Sequence, residues 1–297
     1  MDLKQLRLLC ALDDTRHFRK AAEACFISQP ALSMRLKSLE EELGIALVLR
    51  RQRFEGFTAE GEHLLQYARS VVANCDAMAS EATALQGQMT GNVRIGVVPL
   101  SDFDLGSRLQ LLSRQHPQLR FQLQSLSNEA ILERLNDGRL DLGVVYQSHL
   151  DAARFEVLSL GQQPCHLLYQ QEAMAGQIKN EPNAALRWPD VAALPLGLLG
   201  SKNVFRQFID QQCVQAGVSV TPVVESDSIH QLLQMVDSGV CATVIPGTRL
   251  SGLSHSHLRV LPLEALAPEL TLVKPKLTPS PRVPAVVFEA LAENTAS

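Results

Sequence analysis

Leu3, Leu6, Leu8, Leu9 and Leu12 recur with Lys4, Gln5, Arg7 and Asp13 among them, the spacing of an amphipathic helix. Phe18, Ala21, Ala22 and Cys25 repeat at helical spacing on a short second helix. Ser28 is suited to cap a third, whose first turn holds Pro30, where a missing N–H costs little. Leu32, Leu36 and Leu39 line its inner face, and Gly44 ends it after Leu43. Two short helices joined by a tight turn, with small Ala21 and Ala22 at their approach, predict a helix-turn-helix. Ile45 to Leu49 is strand-like, Arg50-Arg51-Gln52-Arg53 is a basic turn, and Phe54 to Thr58 leads back toward a helix. Such a basic hairpin beside the helices is a wing.

The next period is longer. Thr58 can cap a helix from Ala59, with Glu60 and Glu62 in its first turn, where the helix dipole favours acid. Leu64, Ala68, Val71, Cys75, Met78, Ala82, Leu85 and Met89 follow in alternating steps of four and three, a heptad seam that Gly87, Gly91 and Asn92 bring to an end. A solitary solvated helix needs no seam. It implies pairing with a second copy, or lying along another domain.

From Val93 the pattern alternates between strand and helix. Val93 to Val98, Phe121 to Gln124 and Leu140 to Val145 read as strands, with helices over Pro99 to Gln115 and Ile131 to Leu135. Gly161 to Gln163 reads as a crossover to a second half. That half has strands at Pro195 to Leu199, Val223-Val224 and Ala242 to Ile245, and helices at Asn203 to Ala216 and Ile229 to Ser238. Leu270 to Val273 and a last helix near Pro284 to Ala292 return the chain to the first half. Repeated strand–helix units predict a mainly parallel sheet.

Charge changes the picture of the head. The net charge of −4 argues against nucleic acid, but Arg16 to Arg53 holds eight basic residues against four acidic ones. A local surplus of basic charge on an acidic body suits a DNA reader with a second task. On the third helix, Gln29 can bond adenine, Arg35 guanine, Ser33 either, and Met34 a thymine methyl. Ser28, Pro30 and Lys37 complete that face, which is equally the face of any solvated helix. Arg50, Arg51 and Arg53 would lie on phosphates and add affinity without sequence choice.

The cysteines (10, 25, 75, 165, 213 and 241) are scattered, without a C-x-x-C pair or histidines at zinc spacing. They read as reduced core residues, a redox-sensing pair being the minor alternative. His255 and His257 read as loop rather than metal ligands. No nucleophile elbow, phosphate loop, dinucleotide fingerprint or zinc motif is present, so neither an enzyme nor a cofactor is expected. No apolar run approaches 18 residues and the amino terminus lacks the unbroken core of a secretion signal, so a cytoplasmic protein with no membrane contact is expected.

The stretch AAEACFISQPALSMRLKSLEEELGIALVLR, followed by FTAEGE, resembles the signature of the LysR-type transcriptional regulators: paired alanines, SQPALS, L-E-x-x-L-G, a strand ending in Arg, and T-x-x-G. HPQLRFQL, GRLDLGVV and MVDSGVCATVIP are similar to segments of that family's body. His17 stands where Ser is usual, Cys25 where Leu is usual, Val48 where Phe is usual, and Cys241 where Gly is usual; Met34 takes an often polar or basic position. The resemblance implies a winged helix-turn-helix over 1–58, a dimerisation linker helix over 59–90, and a two-lobed α/β effector domain over 91–297, like the periplasmic binding proteins. Lobe I would take about 91–161 and 266–297, and lobe II about 162–265.

In open α/β folds ligands settle beyond strand carboxyl ends, near helix N-termini. Leu100-Ser101, Ser127-Asn128, Ser201 to Asn203 and Asp227-Ser228 occupy such places, though each is also an ordinary helix cap. The family layout brings them to one cleft, with Tyr146 and Phe205 as walls. Helix N-termini and Lys202 favour a small anion, against which Asp227 counts. The implied function is a ligand-responsive, sequence-specific regulator on double-stranded DNA, a homodimer to homotetramer whose hinge closure respaces its heads and bends a promoter. An enzyme or solute carrier with an incidental helical head, and a constitutive DNA binder, are the competing classes. Arg35→Ala is expected to relax base preference, and Arg51→Ala to weaken all DNA alike, as read by binding to specific and random duplexes. Equal loss on both duplexes for Arg35→Ala would reduce its role to backbone contact.

Overall fold

The computed structural model describes residues 1–50, 54–86, 89–146, 150–178, 185–247, 257–277 and 279–292, with backbone alone at residue 50. The chain divides into two compact units, the first built mainly on Met1–Gly91 and the second on Asn92–Leu135 and Leu140–Ser280.

The first unit holds α1 (Leu3–Thr15), α2 (Phe18–Ala24), α3 (Gln29–Leu43), β1 (Val48–Arg50), β2 (Phe54–Phe57) and α4 (Ala59–Leu85). Each helix starts on a side chain that accepts an otherwise orphaned N–H: Asp2 for α1, His17 for α2, Ser28 for α3 and Thr58 for α4. His17 does with Nδ1 what a serine hydroxyl does elsewhere, bonding the Arg19 N–H at 3.2 Å. Leu6, Leu9, Leu12, Ala21, Ala22, Leu32, Leu36 and Leu39 close the core, joined by Leu47, Phe57, Leu65 and Ala68. Each fully buried leucine contributes about 1.5–3 kcal/mol over an exposed one.

The strand–strand hairpin is seated by residues on both flanking helices. Glu40 Oε1 accepts the N–H groups of Leu47 and Val48 at 2.9 and 3.0 Å. Thr58 donates its hydroxyl to the Ala46 carbonyl at 2.7 Å and its N–H to the Leu47 carbonyl at 3.0 Å. Gly61 packs so closely that a Cβ there would stand 2.0 Å from the Leu47 carbonyl oxygen. The glutamate of L-E-x-x-L-G and both ends of T-x-x-G therefore converge on residues 46–48.

The turn between α2 and α3 closes with the Phe26 N–H on the Glu23 carbonyl and the Ile27 N–H on the Ala22 carbonyl, at 3.1 and 3.0 Å. That pair of bonds puts Phe26 in the left-handed position usually given to glycine, at φ 56°. For a residue with a Cβ this costs about 1–2 kcal/mol.

Along α4 the heptad seam is divided. Its first turns bury Gly61, Leu65, Ala68 and Arg69, whereas Val71, Met78 and Leu85 stay 44, 72 and 74% exposed. The helix ends at Leu85, earlier than the periodicity suggests, so Met89 falls beyond it. Residues 87–88 lie outside the described residues, so the glycine stop expected at Gly87 does too. Arg69 Nη2 holds Asp13 Oδ2 and Asp14 Oδ1, both at 2.5 Å, tying α4 to the end of α1.

The second unit carries a five-stranded sheet in the order β4-β3-β5-β12-β6 and a three-stranded sheet in the order β10-β7-β11. The strands of the first are β3 (Gly91–Val97), β4 (Leu119–Ser125), β5 (Leu142–Tyr146), β6 (Phe155–Gly161) and β12 (Leu270–Pro275). Those of the second are β7 (Pro164–Gln170), β10 (Thr243–Pro246) and β11 (Leu258–Leu266). β8 (Gly197–Leu199) and β9 (Val224–Ser226) form a parallel pair. The helices are α5 (Leu105–Gln115), α6 (Asn128–Asn136), α7 (Trp188–Ala192), α8 (Val204–Gln215), α9 (Ile229–Asp237) and α10 (Arg282–Ala292).

Two expectations are corrected. The sheets are mixed rather than mainly parallel: β3 and β5 run parallel, but β12 is antiparallel to both β5 and β6, and β7 to both β10 and β11. The returning strand enters between β5 and β6 against their direction. The helix expected from Pro99 begins only at Leu105, because Leu100 takes a left-handed φ of 60° and Asp104 provides the cap. The hairpin expected of the wing is present, with Phe54 to Phe57 as its second, antiparallel strand.

The chain crosses between the two main sheets twice, at 162–163 and 267–269. The crossings are bonded to each other, Ala267 N–H to the Gln163 carbonyl at 2.8 Å and the Gln162 amide to the Ala267 carbonyl at 3.3 Å. Gly161, at φ 81°, opens the first. The two crossovers therefore run side by side.

Gly61→Ala is expected to lower stability by about 2–3 kcal/mol in denaturant unfolding, since backbone rather than a flexible side chain must move. Unchanged unfolding would show that the α4 start can slide from residue 47.

Candidate nucleic-acid interface and ligand cleft

On α3 the buried leucines leave the opposite face outward. Ser28, Gln29, Pro30, Met34, Arg35 and Lys37 are exposed and Ser33 half-buried. The Ser28 hydroxyl is engaged as the helix cap, accepting from the Ala31 N–H at 3.4 Å. Gln29 donates to the Ser33 hydroxyl at 3.2 Å, a pair held one turn apart. Arg35 stands 3.9 Å from Asp2, and Lys37 is 3.5 Å from Glu41, so both cations sit in weak, exposed pairs that a phosphate or base can displace. Arg51 and Arg53, and the side chain of Arg50, lie outside the described residues.

In the second unit a buried knot joins four of the expected ligand residues. The Asn128 amide donates to the Tyr146 carbonyl at 2.7 Å, and its oxygen accepts the Tyr146 N–H at 3.0 Å. The Tyr146 hydroxyl donates to the Leu100 carbonyl at 2.8 Å. Its ring stacks on Phe205 of α8, centroids 5.9 Å apart and planes at 20°, and Phe205 stacks in turn on Phe208. Burial first, then nearby Cys165 and Asp102, hold the Tyr146 hydroxyl above the ordinary phenol range, so it stays a donor. Asn128, Tyr146 and Phe205 are nearly inaccessible, at 2, 1 and 1% exposure. They are interior residues rather than open walls.

The other residues sit at loop ends. Ser127 accepts the Ala130 N–H at 3.3 Å and starts α6; Asn203 accepts the N–H groups of Phe205 and Arg206 and starts α8. Ser228 accepts the Gln231 N–H at 3.4 Å and starts α9. Ser101 accepts the Phe103 N–H at 3.3 Å in the loop after β3, leaving its hydroxyl proton free to donate. Ser201 and Asp227 are exposed, and Asp227 lies against Gly200, where a Cβ would be 2.6 Å from its Oδ1. That carboxylate opposes the pull of the helix N-terminus on an anion. Arg206 is buried and spans the two sides of this loop, bonding Asp210, Glu225 and the Leu199 carbonyl at about 3 Å.

Two features escaped the sequence reading. Asp102 is 9% exposed, and a Cβ on Gly247 would fall 1.8 Å from its Oδ2, so the loop after β3 meets the end of β10 there. The dipeptide Pro246-Gly247 after an apolar strand was the available signal. Glu40 was legible only as a motif letter. Among the described residues, no group of three or more His, Cys, Asp or Glu could hold a metal ion, and no helix is long and apolar enough to cross a membrane.

Tyr146→Phe is expected to cost about 1–3 kcal/mol in urea unfolding, because the buried Leu100 carbonyl loses its donor. No change would show that water reaches that carbonyl.

Comparison with known proteins gives two family matches. Residues 3–62 match the bacterial regulatory helix-turn-helix protein, lysR family, and residues 86–296 match the LysR substrate binding domain. A probable hydrogen peroxide-inducible genes activator of Streptomyces viridosporus is 34% identical over 248 residues, 83% of this chain and 78% of that protein. Full-length OxyR of Pseudomonas aeruginosa superposes with a TM-score of 0.75 at 24% identity, over 98% of this chain and 94% of that one. Full-length CbnR in complex with its target DNA superposes with a TM-score of 0.71 at 16% identity, over the whole of both chains. The last two likenesses concern the fold.

Proposed function

The chain belongs to the LysR family of DNA-binding transcriptional regulators with an effector-binding domain, and on that premise we propose that its effector is a small molecule bound reversibly in the cleft rather than an oxidant sensed by a thiol. The observation that carries this is the state of the cysteines. All six are free, and the three in the second unit, Cys165, Cys213 and Cys241, are buried. Burial pushes the Cys165 thiol up to about 12 and the Cys241 thiol up to about 11, and raises Cys213 as well. At neutral pH about one in ten thousand or fewer of the Cys165 and Cys241 thiols is ionised, and the thiolate is the form that attacks a peroxide. On this reading the peroxide response named for the Streptomyces relative is not carried over through the buried thiols Cys165 and Cys241.

The ligand contacts we assign are Ser101, Ser127, Ser201, Asn203 and Ser228, above a floor of Leu100, Asn128, Tyr146 and Phe205. Three helix starts with hydroxyl or amide caps suit a small anion, and Asp227 limits it to low charge. Closure about the paired crossovers at 162–163 and 267–269 is the motion such a ligand would bias, and these crossovers support lobes of 91–161 with 266–297, and of 162–265. The DNA contacts are Ser28, Gln29, Pro30, Ser33, Met34, Arg35 and Lys37, with Arg50, Arg51 and Arg53 on phosphates. Val71, Met78 and Leu85 pair two copies along α4 in a dimer or a tetramer built from dimers, on which two heads meet two half-sites. The regulator works in the cytoplasm and without catalysis.

Footprinting of a selected duplex, with and without millimolar hydrogen peroxide, should give one pattern, and a thermal-shift screen of small carboxylates should raise the melting temperature. At 100-fold excess over Kd a ligand adds about 2.7 kcal/mol. A peroxide-dependent footprint that thiol reductant reverses would overturn the reading. Because the raised thiols stay neutral in the fold, their contribution to stability is full below about pH 9 and is lost as pH climbs toward about 12. Melting temperature should therefore hold through pH 9 and fall above it, less steeply in Cys165→Ala; identical alkaline slopes would remove Cys165 from the cause.

A further inference from the structure

Phe26 is 96% exposed, the most extreme value among the exposed large apolar residues described. It also occupies a left-handed backbone position, which two other non-glycine residues share among those described, Arg16 and Leu100. Arg16 is the end cap of α1, and Leu100 is 5% exposed, its carbonyl holding the Tyr146 hydroxyl. Both are explained within the fold. Phe26 is not: its side chain packs on nothing that would offset the backbone strain, and glycine would serve the turn better. A costly residue that the fold does not use is a candidate for use by a partner.

Its place identifies the partner. Phe26 stands two residues before Ser28, the cap of α3, and α3 is the helix whose N-terminal end enters the major groove in a helix-turn-helix. We infer that Phe26 is a DNA-contacting residue that lays its ring on an apolar surface of the duplex, a deoxyribose or a thymine methyl, beside the edge read by Gln29, Ser33 and Met34. This rests on the DNA-binding reading above. With Met34 at 70% exposure it gives the reading edge two uncharged, apolar contacts, which bind without releasing counterions.

The test uses the full-length chain and a duplex that the wild-type protein selects from a randomised pool. Phe26→Gly should melt at the wild-type temperature or above it, since it relieves the backbone, yet bind the duplex about tenfold or more weakly, the loss of one buried apolar side chain. The slope of affinity against salt should not change, and Phe26→Leu should recover part of the affinity. Replacing thymine by deoxyuridine through the half-site separates the two surfaces. If the wild-type advantage disappears the ring meets a methyl, and if it persists the ring meets a sugar; either supports the inference. Wild-type affinity in Phe26→Gly would overturn it, as would a loss matched by a lower melting temperature. If the wild-type chain selects no duplex, the DNA-binding reading fails first and this inference with it.

Discussion

The head of this protein depends on one buried guanidinium. Asp13 and Asp14 lie in the last turn of α1, where the helix dipole is negative and acid is unfavourable. Asp13 is itself buried, so its charge has little water to lean on. Arg69 answers both, reaching from α4 to the two carboxylates, while Arg16 approaches Asp13 from outside at 2.7 Å. Removing Arg69 would strand a buried carboxylate at the wrong end of a dipole, a loss in the range of about 3–5 kcal/mol. Hydrophobic contact could hold α4 near α1 at several rotations. A charge pair with two bonds holds it at one. The orientation of α4, and with it the direction in which Val71, Met78 and Leu85 face, follows from that pair.

The second unit is organised around a different kind of constraint, a knot of buried polar groups on Asn128, Tyr146 and Leu100 that satisfy one another. Asn128 is spent on the backbone of Tyr146, and Tyr146 on the carbonyl of Leu100, so β5, α6 and the loop after β3 are locked together. The contact onward to α8 is only ring on ring, between Tyr146 and Phe205. Hydrogen bonds are directional and stacking is tolerant, so the polar side of the knot resists change and the aromatic side can slide. Burial of the same kind holds the nearby Cys165 thiol well above its ordinary range.

What could be read from the sequence is what local chemistry decides. Ser28, Pro30 and Gly44 bound α3 where caps and breakers require, and Thr58 starts α4. The wing was legible because a basic turn lies between short apolar runs. What could not be read depends on partners far along the chain. Asp13 and Arg69 are 56 residues apart, and nothing in either neighbourhood announces the other. The strands β6, β7 and β11 have much of their length half-exposed, so they lack the apolar run that marked β5. The antiparallel entry of β12 follows from a chain that leaves the five-stranded sheet and returns, which periodicity does not record. Most candidate ligand residues are legible as helix caps, but the burial of Asn128, Tyr146 and Phe205 depends on contacts between elements far apart in the chain.

The central claim is that α1 and the first half of α4 form one cooperative body through Arg69. Native-state hydrogen exchange on the full-length protein tests it directly. The amides of Leu6–Asp13 and Leu65–Val72 should share a single opening free energy in the wild type, and Arg69→Ala should split them into two, with α4 opening first. Independent opening of α4 in the wild-type protein, or no separation in the variant, would contradict the account.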